Sequence, residues 1–225
     1  GVDQSDEAAD SNGFKIDLGK YIMVTSAWPK VTSDYDSGST YNAPITALLA
    51  GRLAVIPEHQ APIGPVNGAI GSGISRWESY GLSSHIGNEL IQSRFTTLAS
   101  RTLDQSPSYY FAGCRTAATP DSDYTRITTI RCVNRILQGI RDIGEQYIGN
   151  SFTSLNLISL QTALTGYLKA EEIEGIHQGA AFQLSYTRAD RIMGRLNVKL
   201  KMIPPFSIEA IVVDVTLASD ESGLS

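Results

Sequence analysis

The run Thr125–Ile148 constrains this chain more than any other, because its apolar side chains recur every three or four positions. They are Ile127, Ile130, Val133, Ile136, Leu137, Ile140, Ile143 and Tyr147. A helix turns once in about 3.6 residues, so this spacing gathers them on one broad stripe, whereas a strand would scatter them over two faces. Gly149 follows where a helix stop is expected. Such a stripe must be covered by another element. A second amphipathic helix is predicted from about Leu155 to Leu168, through Leu157, Leu160 and Leu164. The period then changes. Phe182–Tyr186 alternates, and so does Leu196–Met202, with Asn197, Lys199 and Lys201 opposite the apolar set. Alternation of this kind marks half-buried strands. After Pro204-Pro205, Ile208–Leu217 reads as a longer strand, apolar on both faces through its middle. The fold class is therefore α+β, with a mixed or antiparallel β-sheet covered by two or three amphipathic helices.

Upstream the signals are shorter. Lys20–Ala27 is rich in aromatic and β-branched residues and reads as a strand ended by Pro29, and 30–40 as a polar loop. Asn42 is placed to cap a helix running to about Ile56, with Pro44 in its first turn. Residues 57–76 are dense in Gly and Pro and read as irregular. A short helix is predicted over Ser84–Arg94, then strands at Phe95–Ala99 and Tyr109–Ala112 on either side of a polar turn. Residues 1–13 carry four acids and almost no apolar side chain, so they read as a flexible tail or cut loop. Residues 14–218 are expected to form a single domain, and 219–225 a loose tail. The chain opens on Gly1 without a Met and is expected to be a fragment or a processed product.

Signs of catalysis are sparse. His59, His85 and His177 lie far apart, none with a partner at metal-ligand spacing. No phosphate-binding loop ends in Gly-Lys-Ser/Thr, and Gly68–Gly73 lacks the lysine such a loop needs. Glu171, Glu172 and Glu174 read as an exposed polar turn after a helix rather than an acid–base pair. No catalytic residue, cofactor or metal is expected, and the chain reads as a non-enzyme. A net charge of −5 argues against sequence-independent nucleic-acid binding, which needs a basic footprint. The longest apolar runs fall far short of a bilayer span. Cys114 and Cys132 could pair, but two thiols in a chain of this size more often signal a reducing compartment with both buried. The arginines say more. Arg115, Arg126, Arg131, Arg135 and Arg141 are opposed between 115 and 141 only by Asp121 and Asp123. Arg131 and Arg135 share a helix face, and Arg141 points elsewhere. They form either a solvated helix face or a basic surface meeting an acidic surface on a neighbouring copy.

The order of these pieces resembles the tail sheath family of contractile-tailed phages and contractile injection systems. Five segments carry the resemblance: Gly19–Val24, Asn42–Gly51, Tyr110–Thr116 with its Gly113-x-Arg115-Thr116 ending, the arginine-bearing helix, and the strand–Pro–strand ending Val198–Val213. Two departures stand out: residues 57–80 do not show the family pattern, and Arg131-Cys132 stands where a paired Arg-Arg is common. The resemblance implies a self-assembling structural subunit of a virion or phage tail, made in the host bacterial cytoplasm. Its partners would be other sheath subunits, the tail tube protein and the baseplate, with no nucleic acid and no membrane. In the family, arms add strands to a neighbour's sheet and contraction drives the tube through the host envelope. Candidate subunit-interface residues are Arg131, Arg135 and Arg141 on the helix and Ile208, Ile211, Val213 and Val215 on the last strand. Without an N-terminal arm this chain alone is expected to be monomeric. The competing expectations are a tube or baseplate component, or a hydrolase using His85 or His177.

Overall fold

The computed structural model describes residues 18–33, 38–70, 74–76, 84–103 and 106–209. A 3-10 turn at Leu18–Tyr21 leads into β1 (Val24–Thr25), β2 (Lys30–Thr32) and β3 (Thr40–Asn42). Helices α1 (Ile45–Val55) and α2 (Gly64–Asn67), strand β4 (Ile74–Arg76) and helix α3 (Ser84–Gln92) follow. A hairpin of β5 (Phe95–Leu103) and β6 (Ser106–Ala112) precedes the two long helices α4 (Ile127–Glu145) and α5 (Ser154–Ile173). The described chain closes with β7 (Gly179–Ser185), α6 (Arg188–Ile192) and β8 (Asn197–Ile203). The strands form three small sheets, ordered β1-β5-β6, β3-β2-β4 and β7-β8. Among the described strands only the β1–β5 pairing is parallel. The class is α+β, as the sequence periods require.

Two buried clusters hold these elements. In the first, Leu98 and Phe111 stand opposite each other on β5 and β6 and pack with Ala27 and with Ile45 and Leu49 of α1. In the second, Cys132 and Ile136 of α4 meet Leu168 of α5 and Ile176, and the inward face of the β7–β8 hairpin covers them with Phe182, Leu200 and Met202. The alternation in both strands puts Gln183, Lys199 and Lys201 on the exposed side. At 0% exposure Ile136 sits at the middle of the α4 stripe that the periodicity predicted.

Several elements differ from the sequence reading. Within the stretch 30–40 read as a loop, Lys30–Thr32 is strand β2, which pairs antiparallel with β3 (Thr40–Asn42), with Val31 opposite Tyr41. The short strands at 95–99 and 109–112 are parts of one longer hairpin. Helix α1 is capped by Pro44, whose fixed φ of −66° suits the position, and no side chain caps it, so Asn42 has no capping role. The stretch 57–76 contains α2 and β4. Helix α5 extends past Leu168 to Ile173, so Glu171 and Glu172 lie in its last turn and not in a turn beyond it. Residues 204–209 carry no regular structure. The N-terminal tail and most of the predicted strand Ile208–Leu217 lie outside the described residues.

Close approach requires glycine at several positions, two of which bear on the long elements. Gly113 has φ +82°, and a Cβ there would fall 2.8 Å from the Phe95 carbonyl oxygen. Gly139, in the middle of α4, lies directly under Tyr167 of α5, whose hydroxyl donates to the Arg135 carbonyl oxygen at 3.0 Å. A Cβ at Gly139 would sit 2.2 Å from the Tyr167 ring carbon and hydroxyl. Gly139→Ala is expected to force the two helices apart and lower stability by about 1–3 kcal/mol. Urea unfolding followed by circular dichroism measures this, and an unchanged midpoint would mean that the Tyr167 ring can move aside freely.

Candidate functional site

Arg131 and Arg135 project from α4 one turn apart, and both are engaged within the chain. The Arg131 guanidinium donates to the carbonyl oxygens of Leu53 at 2.7 Å, Ile56 at 3.0 Å and Pro57 at 3.4 Å. The Leu53 and Ile56 carbonyls are ones that the end of α1 leaves without a helical partner, whereas the Pro57 carbonyl just beyond it also accepts from Gln60 N at 3.1 Å; a cation at a helix C-terminus is favoured by the peptide dipoles. Arg135 collects three carboxylates. Its Nη1 donates to Glu58 at 3.0 Å, its Nε lies 2.8 Å from Glu171 Oε2, its Nη2 donates to Glu171 Oε1 at 3.2 Å, and Nη2 also meets Glu174. Glu171 is only 7% exposed. One planar fork thus joins the α1–α2 loop, α4 and the end of α5, which a lysine's point charge could not do. Within α1, Arg52 makes a similar tie by donating to the carbonyl oxygens of Asn67 at 2.6 Å and Val66 at 2.8 Å, at the end of α2.

A second arginine cluster lies at the start of α4. Arg115 and Arg126 face each other across an isolated antiparallel bridge. Glu209 accepts from both, from Arg115 Nη2 at 2.9 Å and from Arg126 Nε at 2.8 Å. The Gly113-x-Arg115-Thr116 motif therefore has a use for each named residue. Gly113 permits the close approach to Phe95, Arg115 binds Glu209, and Thr116 donates its hydroxyl to the Tyr124 carbonyl oxygen at 2.7 Å.

The third feature is the β7–β8 hairpin with the groove beside it. Among the described residues neither outer edge of this two-stranded sheet pairs with a further strand. Alongside runs an open groove of about 810 Å³ between α4, α5 and the start of β8, floored by Ile140, Leu157, Leu160, Leu164, Leu196 and Val198. Arg141 and Glu145 stand on its α4 wall, and Arg191 on the other side lies over the Phe152 ring at 5.4 Å.

Of the candidate interface residues, Arg131 and Arg135 are thus brought together and spent internally, whereas Arg141 is exposed at the groove. Ile208 is 77% exposed, and Ile211, Val213 and Val215 lie outside the described residues. The acids that complete both clusters, Glu58, Glu171, Glu174 and Glu209, were missed as partners. Both cysteines are free and buried; burial pushes the Cys114 thiol up to about 12 and the Cys132 thiol up to about 11. His177 is buried with Nε2 at 2.9 Å from the Leu168 carbonyl oxygen, and His59 lines a shallow pocket with Glu58, Arg135 and Glu174. The His85 side chain lies outside the described set. Among the described residues no group of three or more His, Cys, Asp or Glu side chains is placed to hold a metal ion, and no helix is long and apolar enough to cross a membrane.

The fold is shared with chains of two solved assemblies, a baseplate and a contractile sheath complex. A chain in the anti-feeding prophage baseplate, solved by cryo-electron microscopy with 6-fold symmetrisation, superposes with a TM-score of 0.69 at 18% identity over 84% of this chain and 53% of its own. A chain of the PVC sheath complex, an extracellular contractile injection system in the contracted state, gives 0.70 at 14% identity over 91% of this chain and 57% of its own. The chain therefore spans little more than half the length of either. No protein-family model matches it, and neither does any curated protein sequence.

The charge clusters make two expectations. Arg135→Ala would leave the buried Glu171 carboxylate without its partner, and the loss of stability is expected to be about 3 kcal/mol. Arg141→Ala, at an exposed position, is expected to change the urea midpoint little. The second concerns pH. A backbone amide hydrogen bond at Glu58 itself, aided by Arg135, holds its carboxyl below the ordinary glutamate range. For Glu209 burial pushes upward, and the hydrogen bonds from Arg115 and Arg126 more than reverse it, leaving that carboxyl lowered as well. A carboxyl whose folded pKa lies below its unfolded one adds stability above the unfolded value and loses it as pH falls through the folded one. The urea midpoint should stay level above about pH 5 and drop once pH passes below the free glutamate value of about 4.3. A midpoint unchanged to pH 3 would rule these pairs out as contributors.

Proposed function

We propose that this chain is a structural subunit of a contractile sheath, assembling around an inner tail tube and contracting to drive it through a target envelope. The observation that carries the reading is the sheath-like fold combined with a two-stranded hairpin whose outer edges are both unpaired among the described residues. An unpaired strand edge invites another strand. Strands added by neighbouring copies would complete the sheet through main-chain hydrogen bonds and seat side chains in the adjoining groove. Exposed apolar side chains on the outer side of α5, Leu155, Ile158 and Ile173, are further surface for an assembled partner to cover.

In this reading the chain is not an enzyme, and its partners are other sheath subunits, the tube protein and the baseplate. It would be made in a host bacterial cytoplasm and act in a tail-like particle. Arg141 and Ile208, with Ile211, Val213 and Val215, remain the interface residues proposed. The energy of contraction would come from exchanging one set of interface contacts for another, not from nucleotide hydrolysis. The likeness to a baseplate chain favours a second reading, a sheath-like component confined to the baseplate.

Electron microscopy of the complete gene product, expressed alone and with its tube protein, separates these. A sheath subunit is expected to give hollow tubes of indefinite length. Rings or short caps would favour the baseplate reading, and a protein that stays dispersed even with tube protein present would remove the sheath assignment.

A further inference from the structure

The two-arginine cluster is a built carboxylate site, and Glu209 occupies it. Thr116 N donates to Thr125 O at 2.9 Å and Ile127 N to Cys114 O at 3.2 Å, so the backbone fixes Arg115 directly opposite Arg126. Side chains directly opposite in an antiparallel pair project to the same side, and like charges so placed repel. One carboxylate relieves this. Glu209 gives Oε2 to Arg115 and Oε1 to Arg126, so a side chain swung to favour one arginine abandons the other. Three residues earlier the Phe206 ring lies 5.5 Å from the Arg126 guanidinium carbon, a second contact with the same arginine. Between β8 and these contacts stand Pro204 and Pro205, which restrict φ and remove two backbone donors. Among the described residues no backbone hydrogen bond ties 204–209 to the rest of the fold. Pro204, Pro205 and Ser207 are half-buried, and among the described residues the side-chain polar contacts that hold the segment are those of Glu209 and Phe206 with Arg115 and Arg126.

We propose that Arg115 and Arg126 form a latch for Glu209 that pins the segment 204–209 against the start of α4, and so governs whether that segment is free to engage a neighbouring subunit. The latch is a property of this chain; its consequence for assembly rests on the sheath reading. Charge carries it. Glu209→Gln keeps the shape and removes the charge shared by both arginines, and Arg115→Gln removes one of the two.

A nitroxide attached through Ile208→Cys reads the latch directly. Ile208 is exposed, whereas Cys114 and Cys132 are buried with raised thiol pKa values and stay unlabelled. The electron paramagnetic resonance spectrum should be immobilised in the otherwise unchanged chain. Glu209→Gln should shift the latched-to-free ratio about tenfold towards the mobile component, the scale of a lost charge-assisted hydrogen bond. Arg115→Gln should do so in part, and Arg141→Gln not at all. An unchanged spectrum in both latch variants, with circular dichroism intact, overturns the latch. In the complete gene product, Glu209→Gln should lower polymer yield by a similar factor, and undiminished polymers with a mobile label overturn the assembly role. If the unaltered product never polymerises, that result counts against the sheath reading, and the spectra alone decide the latch.

Discussion

Arg135 is the interaction on which the arrangement of the long elements depends. The two buried clusters each hold their own part of the chain, one around the β5–β6 hairpin with α1, the other between α4, α5 and the β7–β8 hairpin. Apolar packing is non-directional and leaves the angle between such clusters loosely specified. A planar guanidinium that must meet Glu58 from the α1–α2 loop and Glu171 and Glu174 from the end of α5 does specify it. Arg131, one turn earlier, adds the carbonyls at the end of α1. The cost of taking these charges from water is offset only while all partners are present. The α1–α4–α5 unit is therefore cross-tied by directional bonds as well as by apolar contact.

How much of this was legible follows from what each signal measures. Periodicity reports which side of an element is covered. It located α4, α5 and the alternating strands β7 and β8, since all four bury one face. It could not locate β2, β3 and β4, which have only three residues each, too few for a period to register. The Pro and Gly of 57–76 read as irregular because their punctuation hides a four-residue helix. Helix α6 did carry a signal that went unread: Thr187 and Asp190 form a capping box, with Asp190 N donating to Thr187 Oγ1 and Thr187 N to Asp190 Oδ2.

The arginines were visible, but their partners were not. Arg131 and Arg135 are four residues apart and were correctly placed on one face. The acids that Arg135 meets are 36 to 77 positions distant in the chain, and no local spacing encodes a pairing at that separation. Glu171 shows the difficulty best. Beside Glu172 and Glu174 it resembles an exposed acidic turn, and only the packing of α5 against α4 buries it. The same holds for Glu209, which lies 83 and 94 positions from its two arginines. A charge-rich sequence predicts that ion pairs exist; the tertiary fold decides which of them close within the chain and which are left for a neighbour.

That division bears on how such a subunit would move. Elements tied by directional bonds resist deformation, so a change of assembly state is accommodated where ties are few. The described chain has two such places. One is the β7–β8 hairpin, where added strands could shift without disturbing Arg135 or its acids. The other is residues 204–209, where two prolines and a single pair of side-chain anchors replace a backbone ladder. Contraction by such a subunit would then proceed as rigid bodies carried on their connections. The bonds that fix the fold and the places with few ties lie on separate residues, so the contraction proposed above would not require partial unfolding.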